Sequence, residues 1–387
     1  MNKMKIALAS ALVSLLSLLA ACQNENKIII LPVAGQSTLF KEPYLVMTDT
    51  ASEIKIVWQT PRTTECAIAW GDNTLYDLGE NVTTENSAGR NQHLHSYTIT
   101  GLVPGAVYYY RVTINEKTYT GSFRAAAAAS ATDLNFMIYG DTRTLTDIHN
   151  TVAGAIISAL QEPSYNTFIL GAGDLVSSGE DEDVWEREFF NLGNVRRYTA
   201  SVPFISAVGN HDLGAGLFEK YFPYPYETTE GRYWSFDYGP VHISVIDQYI
   251  AYDSSSAQYA WLENDLSASA KTWKFIILHQ PGWSAGGGHA NDTTVQTDIQ
   301  PLCETHDVSI VFAGHNHYYA RAIYNSVYHI TTGGGGAPLH TPESGQPNVV
   351  VTDMSNHFCR VEIAGNTLNF YAERPDGTII DSFNITK

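Results

Sequence analysis

Five apolar runs, each breaking off into a polar cluster, constrain this chain more than any other feature. Residues 134–139 run into Gly140-Asp141-Thr142-Arg143, and 167–170 are followed by Gly173-Asp174-Leu175-Val176. Residues 203–208 run into Gly209-Asn210-His211-Asp212. Residues 274–278 end at His279-Gln280-Pro281, and 308–313 at Gly314-His315-Asn316-His317. Between the runs lie helical patterns. Ile148, Val152, Ile156 and Leu160 recur every fourth residue, and 259–266 form another helical stretch. Strands alternating with helices predict a layered α/β unit. Ligands of open α/β sheets bind at the carboxyl ends of the strands. The order therefore predicts that two Asp, one Asn and three or four His converge. Mixed carboxylate, amide and imidazole donors suit Zn, Mn or Fe better than Ca or Mg alone.

The rhythm differs on either side of this unit. Between 42 and 124, short runs such as 54–58, 66–70, 95–99 and 107–112 are separated by Gly/Pro turns, which predicts an all-β sandwich. Nothing in it has a catalytic pattern; His93 and His95 lack a carboxylate or thiol partner nearby in sequence and read as surface or packing residues rather than ligands. The stretch 125–132 opens with five alanines and reads as a linker. After it, 133–387 forms the second unit, closing with strands at 358–363, 367–372 and 378–385. Cys66, Cys303 and Cys359 show no C-x-x-C spacing and read as buried apolar residues, against the alternative of one disulfide.

The N-terminus has the pattern of an export signal. Lys3 and Lys5 precede an apolar run, 6–21, that is short for a membrane span. It ends in Leu19-Ala20-Ala21-Cys22, which resembles a bacterial lipobox. Residues 1–21 are expected to be removed, Cys22 lipidated, and 22–41 to act as a tether, placing the protein at the bacterial cell envelope, periplasmic or cell-surface. The formal charge of −18 leaves no basic surplus for nucleic acid or for an anionic membrane surface. Acyl chains alone would carry anchoring.

The ordered clusters resemble the calcineurin-like metallophosphoesterases. With the sandwich in front, whose Gly101-Leu102-Val103-Pro104-Gly105 and 107–112 resemble the end of a fibronectin type III-like module, they come nearest to the purple acid phosphatases. The resemblance implies a four-layer αββα sandwich carrying two divalent or trivalent ions (Fe, Zn or Mn). It implies Asp174 as bridge, Asp141 and His317 on the first metal, and Asn210, His279 and His315 on the second. His211 would contact phosphate and assist the leaving group, and His289 would bind substrate. The implied reaction is hydrolysis of a small phosphate monoester by metal-bound hydroxide. The alternatives are a phosphodiesterase or nucleotide-sugar pyrophosphohydrolase, or a degenerate surface-binding protein. Two positions depart from the pattern: Ser177 stands where purple enzymes place Tyr, and Arg143 where the wider superfamily places His. Arg143 is expected to clamp the substrate phosphate, or else to pair with an acid. His149, expected in a first helical turn after Thr146 or Asp147, is the candidate for the missing ligand.

Overall fold

The computed structural model describes residues 28, 30, 38–83, 85 and 93–387. The export signal and Cys22 lie outside the described residues. Of the expected tether, Ile28 is buried against the main core and Leu39 within the sandwich.

The N-terminal unit is a sandwich of β1 (Lys41–Val46), β2 (Ile54–Gln59), β3 (Cys66–Gly71), β4 (Gly79–Thr83), β5 (Leu94–Ile99), β6 (Val107–Ile114) and β7 (Lys117–Arg124). One sheet has the order β1-β2-β5 and the other β4-β3-β6-β7. In β6, Tyr108, Tyr110, Val112 and Ile114 are buried while Tyr109, Arg111 and Thr113 are half-buried, the period of two of a strand with one face inward. Trp58, Ile68, Tyr110 and Phe123 fill the space between the sheets. His95 belongs to this packing, its ring stacked on Trp58 at 5.5 Å. The expected linker packs tightly at its start: Ala125 is buried and its N–H bonds Ala106 O at 2.8 Å.

The second unit has two sheets face to face. The first has the order β10-β9-β8-β18-β19-β20. Its strands are β8 (Asp133–Tyr139), β9 (Ile169–Gly171), β10 (Phe204–Ser206), β18 (Phe358–Ala364), β19 (Thr367–Glu373) and β20 (Ile379–Thr386). The second sheet has the order β11-β12-β13-β14-β16-β15-β17. These are β11 (Trp234–Tyr238), β12 (Val241–Val245), β13 (Trp273–Ile277), β14 (Val308–Ala313), β15 (Tyr319–Tyr324), β16 (Val327–Thr332) and β17 (Val349–Asp353). The neighbours β8, β9 and β10 are parallel, as are β12, β13, β14 and β16. The C-terminal meander is thus half of the first sheet, joined to it by the antiparallel pair β8–β18.

Strands covered on both faces divide their residues between two cores. Phe136 of the first sheet meets Phe275 and Phe312 of the second at 5.7 and 6.4 Å between ring centres. Ile276 and Val311 point the other way, to a separate core under α5 (Ala257–Ala268) and α6 (Gln300–Thr305). On the outer face of the first sheet, Tyr139 meets α1 (Thr146–Ala159) and α3 (Gly193–Thr199), its Oη 2.6 Å from that of Tyr198. The layers are helix, sheet, sheet, helix. The short α2 (Glu182–Trp185) runs into a wide π turn, Glu186–Phe190, and α4 spans Leu217–Tyr221. The sandwich rests on this region. Tyr44 Oη donates to Tyr221 O at 2.6 Å, Tyr110 Oη to Ala200 O at 2.8 Å, and Arg196 pairs with Glu42 at 3.0 Å.

Candidate metal centre

The five clusters come from both sheets. Those after β8, β9 and β10 belong to the first sheet, and those after β13 and β14 to the second. They meet where the carboxyl ends of the two sets of parallel strands lie side by side. Asp141, Asp174 and His315 have φ of 55°, 55° and 69°, the left-handed region that non-glycine residues avoid. Such strain persists where the surroundings hold it and clusters at functional sites. The glycines of the clusters serve close approach: a Cβ on Gly209 would lie 2.2 Å from Asp174 Oδ1, and one on Gly314 2.3 Å from Asp141 Oδ2.

Two donor sets share Asp174. In the first, one ligand atom each of Asp141, Asp174 and His317 lie within 4.8 Å of one another, and all three residues are buried. Asp141 Oδ1 is buried without a hydrogen bond and faces His317 Nε2 at 3.4 Å. In the second, His279 Nε2 lies 3.2 Å from Asn210 Oδ1, 3.2 Å from His315 Nδ1 and 3.4 Å from Asp174 Oδ1.

The imidazoles are oriented from behind. His279 Nδ1 faces Ala172 O at 2.8 Å, and His317 Nδ1 faces Pro338 O at 2.7 Å. A carbonyl only accepts, so each Nδ1 carries the proton and the Nε2 lone pair turns inward. Carboxylate, amide and imidazole lone pairs gathered this closely are what a cation needs, so the chemistry of both sets fits metal binding, although a guanidinium also reaches the first. The charges agree. Burial disfavours charge on Asp141, yet His317, His279 and His315 hold its pKa below the ordinary value. Burial also opposes charge on His279, but Asp174 and Asp141 raise its pKa. Burial and the neighbouring His279 and His289 push His315 down to about 2.

The remaining expected residues fall into place unequally. His211 N donates to Asp174 Oδ1 at 2.9 Å, and its Nδ1 faces Ser177 O at 3.0 Å. His289 is exposed, its ring stacked on His315 at 4.0 Å. Arg143 faces the first donor set, with Nε 3.3 Å from Asp174 Oδ2 and Nη2 3.4 Å from His317 Nε2. His149 corrects the expectation. It does lie in the first turn of α1, which starts after Leu145 without a side-chain cap. Its ring, however, is committed elsewhere, Nε2 to Tyr139 Oη at 3.0 Å and Nδ1 to Glu188 O at 3.1 Å. Both nitrogens are used, so it supplies no ligand. Burial pushes its pKa down to about 4.

Three residues of the site were not picked out as site residues from sequence. His340 stacks on His317 at 3.9 Å between ring centres, and its Nδ1 accepts from His317 N at 3.3 Å. Asp212 accepts the N–H groups of Asp174, Leu175 and Gly209 at 2.8, 2.8 and 2.9 Å. Buried Glu188 accepts from Ser177 N at 2.7 Å, Ser177 Oγ at 2.8 Å and Thr144 N at 3.1 Å. That ties the loops after β8 and β9 together.

Residues 134–319 match the calcineurin-like phosphoesterase family and 41–126 the purple acid phosphatase N-terminal domain. Purple acid phosphatase 15 of Arabidopsis thaliana is 29% identical over 277 residues, 61% of this chain and 50% of that protein. The chain thus spans about half the length of that curated relative. Among solved structures, purple acid phosphatase PPD1 from yellow lupin (Lupinus luteus) seeds superposes with a TM-score of 0.77 at 19% identity, covering 93% of this chain and 74% of that one. PhoD superposes with a TM-score of 0.69 at 12% identity, covering 92% and 91%. At these identities the structural likenesses establish the fold. The chain thus carries a calcineurin-like phosphoesterase domain behind a purple acid phosphatase N-terminal domain, and its relatives are purple acid phosphatases.

Proposed function

We propose that this protein hydrolyses small phosphate monoesters at a two-metal centre. The observation that carries the reading is the position of Asp174. Its carboxylate belongs to both donor sets, as one ligand holding two ions requires. Ions held there would supply hydroxide near neutral pH and offset the negative phosphoryl oxygens. Asn210, His279 and His315 would hold one ion, Asp141 and His317 the other, and iron, zinc and manganese suit these donors.

The chain's own groups do the rest. His211 is held by its Nδ1–H on Ser177 O, so Nε2 is the nitrogen left to pass a proton to the leaving alkoxide, the work of a general acid. His289 and His340 wall the opening beside His315 and His317 and present imidazole edges to the substrate. Exposure of Asn210 and His289 suits a substrate arriving from solvent.

The same reading places the protein at the bacterial cell envelope, exported and held by lipid on Cys22. Its support is the lipobox-like Leu19-Ala20-Ala21-Cys22. No helix among the described residues is long and apolar enough to cross a membrane. Two experiments test the proposal. A panel of monoesters, diesters and nucleotides, run with metal analysis of the same sample, should give highest turnover on monoesters; a preference for diesters would overturn the substrate class. Cys22→Ser should block lipidation and processing, and unaltered processing would overturn the anchoring.

A further inference from the structure

The two donor sets differ in one respect that bears on how they hold metal. The second set, Asp174, Asn210, His279 and His315, offers four donors, and among the described residues no Lys or Arg side chain makes a hydrogen bond or ion pair to the atoms gathered at His279 Nε2, which are Asp174 Oδ1, Asn210 Oδ1 and His315 Nδ1. The first offers three, and a guanidinium lies against two of them. Arg143 Nε is 3.3 Å from Asp174 Oδ2 and Nη2 is 3.4 Å from His317 Nε2. A guanidinium only donates, so its contact with His317 uses the lone pair that a metal would take. It is also permanently charged and repels an ion arriving within a few ångströms. Among the described residues no fourth donor compensates. Ser177 Oγ is turned to Glu188 at 2.8 Å, and the His149 ring to Tyr139 and Glu188. The Arg143 side chain is only 15% exposed, which keeps it at the first set rather than out in the substrate opening.

We propose that Arg143 makes the two metal sites unequal. The Asp174–Asn210–His279–His315 set keeps its ion, and the Asp141–Asp174–His317 set binds the second ion reversibly, in competition with the guanidinium. This rests on the two-metal reading above and adds to it a means of control: the level of free metal, not protein abundance alone, sets the fraction of fully loaded enzyme. It also reassigns Arg143 from substrate clamp to gatekeeper of the first site.

The test is a calorimetric titration of the full, chelator-stripped protein with Zn2+, with zinc counted after exhaustive dialysis. The wild type should retain one ion per chain and show two binding classes at least about tenfold apart. Arg143→Gln should tighten the weaker class about tenfold or more and leave the tight class within about twofold. Arg143→His, which returns an imidazole at that position, should tighten it further. His317→Ala should remove the weak class alone. Two classes of equal affinity in the wild type, or a weak class unmoved by both Arg143 variants, would overturn the inference while leaving the two-metal reading intact. No zinc bound at all would overturn both. Two unequal classes without phosphatase turnover would support the inference and sink the function.

Discussion

Asp212 holds Asp174 by its backbone. The Asp212 carboxylate accepts the N–H of Asp174 at 2.8 Å and of Gly209 at 2.9 Å, so it ties together the turns after β9 and β10. The left-handed conformation of Asp174 is held from behind this way, with Oδ1 turned to His279 Nε2 at 3.4 Å and Oδ2 to Arg143 Nε at 3.3 Å.

This arrangement separates the roles of Asp174 and His211. Asp174→Ala should lose metal and turnover together. His211→Ala should retain metal and lose turnover by about 10²–10⁴-fold, the usual cost of removing a proton donor. Metal content measured beside turnover distinguishes the two; equal metal loss in both variants would contradict the assignment.

Ser177 decides the colour. Purple enzymes place a Tyr at this position, whereas Ser177 bonds Glu188 through both N–H and hydroxyl. With no phenolate donor among the residues of either set, the iron-loaded protein should show no strong visible charge-transfer band. A visible spectrum recorded after iron loading checks this directly, and a strong band would refute the ligand assignment.

Glu188 is expected to be structural support for the site. Glu188→Ala strands two backbone N–H groups and a hydroxyl near the surface of the cleft, at a cost of about 2–4 kcal/mol. Thermal or denaturant unfolding of the metal-free protein should show this loss. Stability unchanged within about 0.5 kcal/mol would remove Glu188 from the account.

Away from the centre, His242 gives the fold a pH dependence. Its Nδ1 is 2.8 Å from Asp237 and its Nε2 2.9 Å from Asp265. Burial opposes its charge, but the two carboxylates outweigh burial and raise its pKa from 6.5 to about 9. Raised in the folded state, it contributes stability that is fully present below about pH 6.5 and lost as pH climbs through about 9. Discounting for the half-exposed Asp237, His242→Asn should cost about 2 kcal/mol at pH 6 and markedly less at pH 10. Chemical unfolding at the two pH values checks the sign; an equal cost at both would contradict it.

That Asp141, Asp174, Asn210, His279, His315 and His317 come together was legible because each follows a buried strand, and strand ends converge in layered α/β folds. That the strands belong to two facing sheets was not legible from the runs themselves. Runs such as 274–278 and 308–313 are buried on both faces, so they carry no alternation to say which sheet they join. His149 shows the limit differently. Its place in the first helical turn was readable, but its ring direction depends on Tyr139, ten residues earlier on β8, and on Glu188 beyond α2. His340 lies in a loop without strand or motif and reaches the site only because that loop folds back on Gly288 and His317. Glu188 is one acid in an acidic stretch, set apart by the π turn that turns it inward.

The most direct test of the central claim is hydrolysis of a chromogenic phosphate monoester by the metal-stripped protein, before and after metal is restored, with Asp174→Asn in parallel. Turnover should fall to background on stripping and return with metal. In Asp174→Asn it should stay at least about 10²-fold below wild type, since even residues behind a ligand cost 10–100-fold. Turnover that survives complete metal removal, or that is undiminished in Asp174→Asn, would contradict it.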